Sequence, residues 1–256
     1  MTEAEARNSL QAIQEALGGI LESGSRDVVD AAILEAKLTR KKYDASIGQT
    51  HSTQKAKEWG YEITPLTPLQ FKTSLCGGHL LRVDISCDLR WSNEKMLKQD
   101  VAMRVWATEE KLVFREKWDS HQVLDYLTAS SSSDLKRVMF RCHFDLAASN
   151  QPGPENHLQV GGNGVIEEQC WFPDSVKIPR FAYPPMDLLL VCQMVAANFF
   201  PDEYNNIRKQ PAWRRRVINS ERLLWKPYYD RCQEYFNGHE NASTTWLEEF
   251  WNTQKP

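Results

Sequence analysis

Two histidines, His143 and His157, flank a Pro-Gly-Pro loop in RCHFDLAASNQPGPENHLQVGG, residues 141–162. If the flanking segments are antiparallel strands closed by ASNQPGPE, His143 lies opposite His157, Arg141 opposite Gln159, and Asp145 opposite Glu155. Opposed residues on such a pair have Cβ atoms about 4.5–5.5 Å apart. Two imidazoles and a carboxylate could then meet at one metal ion, which takes about three or four nitrogen or oxygen ligands. His143, His157 and Asp145 are the candidate ligands. With Glu155 they are also the candidate group for acid/base catalysis, since a histidine titrates near neutral pH. The competing account is a wet sheet face with polar residues where water is. The register decides between them, and a slip by one residue would turn every side chain to the other face.

No other motif names a reaction. The chain lacks the dinucleotide and P-loop glycine signatures, HExxH and GxSxG; CGGH and VGGNG read as turns. No cofactor is expected. None of the six cysteines lies within four residues of another, which excludes a CxxC zinc or redox pair. Cys87 and Cys142 fall on apolar positions of predicted strands, as small buried hydrophobes in a reducing compartment would.

The elements that must position the histidines follow from periodicity. From Leu80 the period is two. Leu81, Val83, Ile85, Cys87, Leu89 and Trp91 alternate with Arg82, Asp84, Ser86, Asp88 and Arg90. DVAMRVWAT, KLVFREKW, RVMFRCHFDLA and NHLQV repeat the pattern. The expected fold is therefore α+β: an antiparallel β-meander of about five strands over residues 80–161, packed on helices. PPMDLLLVCQMVAANFFP, residues 184–201, is the helix expected on its apolar face. It is too short for a membrane span and is interrupted by Asp187, Gln193 and Asn198.

An N-terminal helical hairpin precedes the sheet. Thr2 and Glu5 form a capping box for a helix over residues 2–22. A second helix runs to about Tyr43, and residues 44–70 read as linker or loop. The C-terminal helices are rich in aromatics, with a break or kink near Pro227, a core stripe of Trp225, Tyr229, Cys232 and Phe236, and a last helix in STTWLEEFWN. Three units are expected: a hairpin over 1–50, a sheet core with covering helix over 51–201, and aromatic helices over 202–256.

The net charge of −3 does not mark a nucleic-acid binder. Local surfaces carry more. Arg82, Arg104, Trp106, Arg115 and Arg141 share the charged sheet face, and Trp213, Arg214 and Arg215 open a C-terminal helix. Trp and Arg dominate protein interfaces. The leading expectation is a non-catalytic accessory or adaptor protein in a larger cytoplasmic assembly, with a protein partner and no membrane. Self-association through residues 2–43 is a further expectation. The alternatives are a metal-dependent or acid/base enzyme centred on His143 and His157, and a single-stranded nucleic-acid binder using the charged face.

Overall fold

Strict alternation from Leu80 onward produces long paired strands. The computed structural model describes residues 1–47, 58–76, 79–107, 137–147, 153–161, 180–238 and 251–252. The two longest strands, β4 (His79–Ser92) and β5 (Lys95–Ala107), are joined by a two-residue turn at Asn93 and Glu94. Both turn residues have positive φ, 46° and 65°, the backbone that matches the twist of a tight hairpin. Next come β6 (Arg137–Leu146), β8 (Asn156–Val160) and β9 (Arg180–Ala182). β1 (Trp59–Ile63) lies at the other edge, so the order is β1-β4-β5-β6-β8-β9. β2 (Leu69–Gln70) and β3 (Ser74–Cys76) also pair with β4, giving an eight-stranded antiparallel sheet. β7 (Gly153–Pro154) pairs separately with β10 (Trp251–Asn252).

Among the described residues five helices accompany it: α1 (Glu3–Leu17), α2 (Ser25–Ser46), α3 (Leu188–Phe199), α4 (Pro201–Ile207) and α5 (Pro211–Gly238). The α+β class and antiparallel sheet agree with the alternation. No helix is long and apolar enough to cross a membrane among the described residues. The expected strand in KLVFREKW lies outside the described residues, as does most of STTWLEEFWN, whose Trp251 and Asn252 are strand.

One sheet face is apolar and buried. Val83, Ile85, Cys87, Leu89 and Trp91 of β4 meet Val101, Met103 and Val105 of β5 and Cys142 and Phe144 of β6 there. α3 supplies Leu188, Leu189, Leu190, Val191, Cys192, Val195 and Ala196 to the same core. Asp187 starts that helix. Its Oδ1 accepts from the Leu190 amide at 2.9 Å, and its Oδ2 accepts from the Ser220 hydroxyl of α5 at 2.7 Å.

The N-terminal hairpin packs on this core. The capping box is present, with the Glu5 amide donating to Thr2 Oγ1 at 3.3 Å and the Thr2 amide to Glu5 Oε2 at 2.7 Å. α1 lies against α2, α3 and α5, and α2 runs along β1. Thr39 of α2 contacts both backbone groups of Gly60. Its Oγ1 accepts from the amide at 3.1 Å and donates to the carbonyl at 2.8 Å. Gly60 lies so close to β4 that a Cβ there would sit 2.0 Å from the Leu89 carbonyl oxygen. The hairpin, the sheet and the C-terminal helices all contribute to one buried cluster.

Two expectations change. Residues 59–63 and 69–70 are strands rather than linker. In WGYEI, Trp59, Tyr61 and Ile63 alternate with Gly60 and Glu62 and are buried, so the rule applied further along also holds here. α5 runs through Pro227 as one element of 28 residues. Pro227 removes one amide, that facing the Leu223 carbonyl, and Trp225 fastens the helix beside it by donating from Nε1 to the Pro185 carbonyl at 2.9 Å.

Candidate functional site

The register of β5, β6 and β8 aligns three polar residues. Asp100 faces Asp145, and Asp145 faces His157. His143 faces Ala102 on one side and Gln159 on the other. The expected His143–His157 pairing is therefore shifted by two residues. The polar face is kept, but every partner changes. Arg141 lies opposite Arg104, and Glu155 leaves the group to pair with Arg231 of α5 at 2.6 Å. The Ala147 amide donates to the Glu155 carbonyl at 2.7 Å, so Glu155 lies opposite Ala147 and not, as expected, opposite Asp145.

Asp145 is the centre. Donor atoms of Asp100, His143 and Asp145 all lie within 4.8 Å of one another. On its other side, His157 Nε2 is 3.8 Å from Asp145 Oδ2. Burial, helped by the neighbouring Asp100 charge and opposed by the His143 and Arg180 charges, raises the Asp145 carboxyl to about 6. Asp100, half exposed, shifts the opposite way, because the hydrogen bond from His143 holds its carboxyl below the usual range. Two adjacent carboxyl groups pushed apart in this way favour one proton between them.

The imidazoles have fixed roles. His157 is 1% exposed, and its Nδ1 lies 3.1 Å from the Pro154 carbonyl oxygen. A carbonyl only accepts, so Nδ1 carries the proton and Nε2 keeps a lone pair. That Nε2 is buried without a hydrogen-bond partner. Burial holds the His157 pKa below its ordinary value and so favours the neutral ring. For His143, Arg141 Nε donates to Nε2 at 2.7 Å. A guanidinium only donates, so the His143 proton sits on Nδ1, 3.5 Å from Asp100 Oδ1. His143 orients Asp100, while His157 offers a lone pair.

The residues expected to form an open charged surface are arranged otherwise. Asp84, Arg104 and Arg141 form the adjacent row across β4, β5 and β6. Arg104 and Arg141 are 3% and 5% exposed, so this row is interior. Arg104 Nη2 donates to Ser86 Oγ at 3.4 Å, and Arg82 Nε lies 3.2 Å from Asp84 Oδ1. Burial raises the Asp84 carboxyl against the pull of Arg82 and Arg104. Trp106 is partly buried, and Arg115 lies outside the described residues. Trp213 is 1% exposed and belongs to the core, while Arg214 and Arg215 beside it face solvent.

Asp100 is the site residue that local reading misses. Alternation puts it on the polar face, but only the pairing of β5 with β6, distant in sequence, brings it to Asp145. The C-terminal stripe also differs from expectation. Tyr229 and Phe236 are exposed and not core. Comparison with protein-family models, with curated proteins and with solved structures finds no match, so the functional argument rests on these residues and their geometry.

Proposed function

We propose that this chain is a non-catalytic accessory protein acting through protein contacts in a larger cytoplasmic assembly, with the distal half of α5 as its principal contact. One observation carries the reading. α5 buries Trp213, Val217, Ser220 and Leu224, and none of its own residues beyond Leu224 is buried, although this half holds Tyr229 and Phe236 at 53% and 68% exposure. Large aromatics held on a rigid helix and left in water are costly to solvate and lose little entropy on docking. A cleft of about 360 Å³ lies at the helix midpoint, lined among others by Met1, Trp91, Met96, Leu223, Pro227 and Tyr228. Its mixed lining suits an apolar side chain of a partner, and the Arg231–Glu155 pair supplies a polar rim. The free, buried thiols Cys87, Cys142 and Cys192 support a reducing compartment. Leu34 and Leu38, one turn apart and exposed on α2, offer a surface for a second copy.

Affinity capture from the cell that makes the protein, comparing the natural chain with a Tyr229→Ser/Phe236→Ser variant, tests this. The expected result is a partner retained by the natural chain and lost by the variant at unchanged melting temperature. A chain that sediments as a monomer and retains no partner overturns it.

A further inference from the structure

We propose that the chain forms a two-fold dimer in which the α2 helices of two copies pack antiparallel. This rests on the second-copy surface at Leu34 and Leu38 and not on the α5 contact. Asp27, Ala31, Leu34, Leu38, Lys41 and Ala45 recur at alternating four- and three-residue steps, so they form one line along α2, and all six are exposed. The two leucines at its centre are 56% and 48% exposed. The opposite line of the same helix, with Val29, Ala32, Ala36 and Tyr43, is already buried within the chain. A line of this spacing with leucines at its centre is the seam of a two-helix pair.

Spacing and charge both select a second copy in reversed orientation. The line is symmetric about Ala36, so reversal sets Leu34 on Leu38, Ala31 on Lys41 and Asp27 on Ala45 of the second copy. Such a patch complements itself, as a two-fold interface requires. The charges agree. Glu35 pairs with Arg90, and Arg40 with Asp44, inside the chain. Asp27, Asp30, Lys37, Lys41 and Lys42 enter no ion pair among the described residues. These are sorted along the helix, with the acids in its first half and the lysines in its second. Gln14 of α1 donates to Asp30 Oδ1 at 2.8 Å and fixes that carboxylate at the surface. In the reversed pair the small Ala31 leaves room for the stem of Lys41 from the second copy, whose ammonium then falls beside Asp27 and Asp30. Parallel pairing would set acid on acid and lysine on lysine. Arg26 and Lys37 lie to the side, about 80–100° around the helix from the seam. One helix face per copy is a small interface, so the dimer is of the weak, exchanging kind.

Sedimentation velocity of the full purified chain over about 1–300 µM tests this. The expected result is a shift from monomer toward dimer, weakened severalfold between about 50 and 500 mM NaCl. Leu34→Ser/Leu38→Ser should weaken the dimer about tenfold or more. Asp27→Lys/Asp30→Lys and Lys41→Glu/Lys42→Glu should each weaken it by about as much, and an equimolar mixture of the two should return to the natural affinity. Loss in each one-sided variant with recovery in the mixture marks the antiparallel arrangement, since a parallel pair would already oppose like charges. Tyr229→Ser/Phe236→Ser should dimerise as the natural chain does, so the dimer and the α5 contact fail separately. A monomer throughout the range, a dimer indifferent to the leucine variant or lost with the α5 variant, or natural affinity in a one-sided charge reversal overturns the proposal. If the leucine variant does not fold, the charge series still decides.

Discussion

Asp187 is buried and Asp145 partly buried, both carboxyls are raised by burial, and the chain treats them in opposite ways. At Asp187 each oxygen has an answering donor, Leu190 on one side and Ser220 on the other. The carboxylate thereby fastens the start of α3 to α5. At Asp145 the neighbours are a second carboxylate and a lone pair on His157, and the charges of His143 and Arg180, not answering neutral donors, pull its carboxyl down against burial. One carboxylate is satisfied by neutral donors on two helices; the other is set by the charged groups of neighbouring strands.

The sharpest way to break the comparison is to remove each carboxylate. Asp187→Ala deletes a helix cap and strands two buried donors, and should cost about 2–4 kcal/mol in urea unfolding. Asp187→Asn keeps an acceptor for Leu190 and should cost less than about 1 kcal/mol. By contrast, Asp145→Asn should change stability by less than about 1 kcal/mol, in either direction, because it relieves repulsion from Asp100. Equal losses at the two positions would erase the distinction.

Acidity gives a second test. Burial, partly offset by the Leu190 and Ser220 hydrogen bonds, raises the Asp187 carboxyl above its ordinary value of 3.8. The folded chain therefore holds this proton more tightly than the unfolded chain. Asp187 contributes most stability below the unfolded value, and that contribution is lost as pH rises through the folded one. The stability of Asp187→Asn relative to the natural chain should accordingly increase as pH rises from about 4. A fall in the relative stability of Asp187→Asn with rising pH would mean the hydrogen bonds outweigh burial.

The smallest effect expected is in thiol labelling. Cys192 adjoins Asp187, and Cys142 lies three residues before Asp145. Burial pushes both thiols up, Cys142 to about 12. Peptide-resolved alkylation at pH 8 should modify partly exposed Cys232 first, then Cys142, with Cys192 slowest. Modification of Cys192 before Cys142 would mark the α3–α5 junction as the looser region.

Much of the fold is legible in the sequence, because period-two alternation is a local signal. It finds β4, β5, β6 and β8, and a three-residue spacing finds the Thr2–Glu5 cap. WGYEI obeys the same alternation and is missed only because prolines nearby suggest loop. The site is half legible. His143, Asp145 and His157 share a face on parity alone, which a two-residue shift preserves. Their partners depend on how the Pro-Gly-Pro loop closes and on β5 docking beside β6, and neither is written in any short window. Burial of Arg104, Arg141 and Trp213 is likewise a tertiary outcome, since an arginine on a polar strand face reads the same whether or not that face is covered.

The contact between Gly60 and Leu89 has a mechanical consequence. α2 reaches the sheet partly through Thr39, which holds the backbone of β1, and β1 approaches β4 only because position 60 is bare. A single methyl group there would pry the edge strand outward and carry the helix with it. The α2–β1 edge thus depends on an atom that is missing, and a mutational scan should find this position among the least forgiving on the edge.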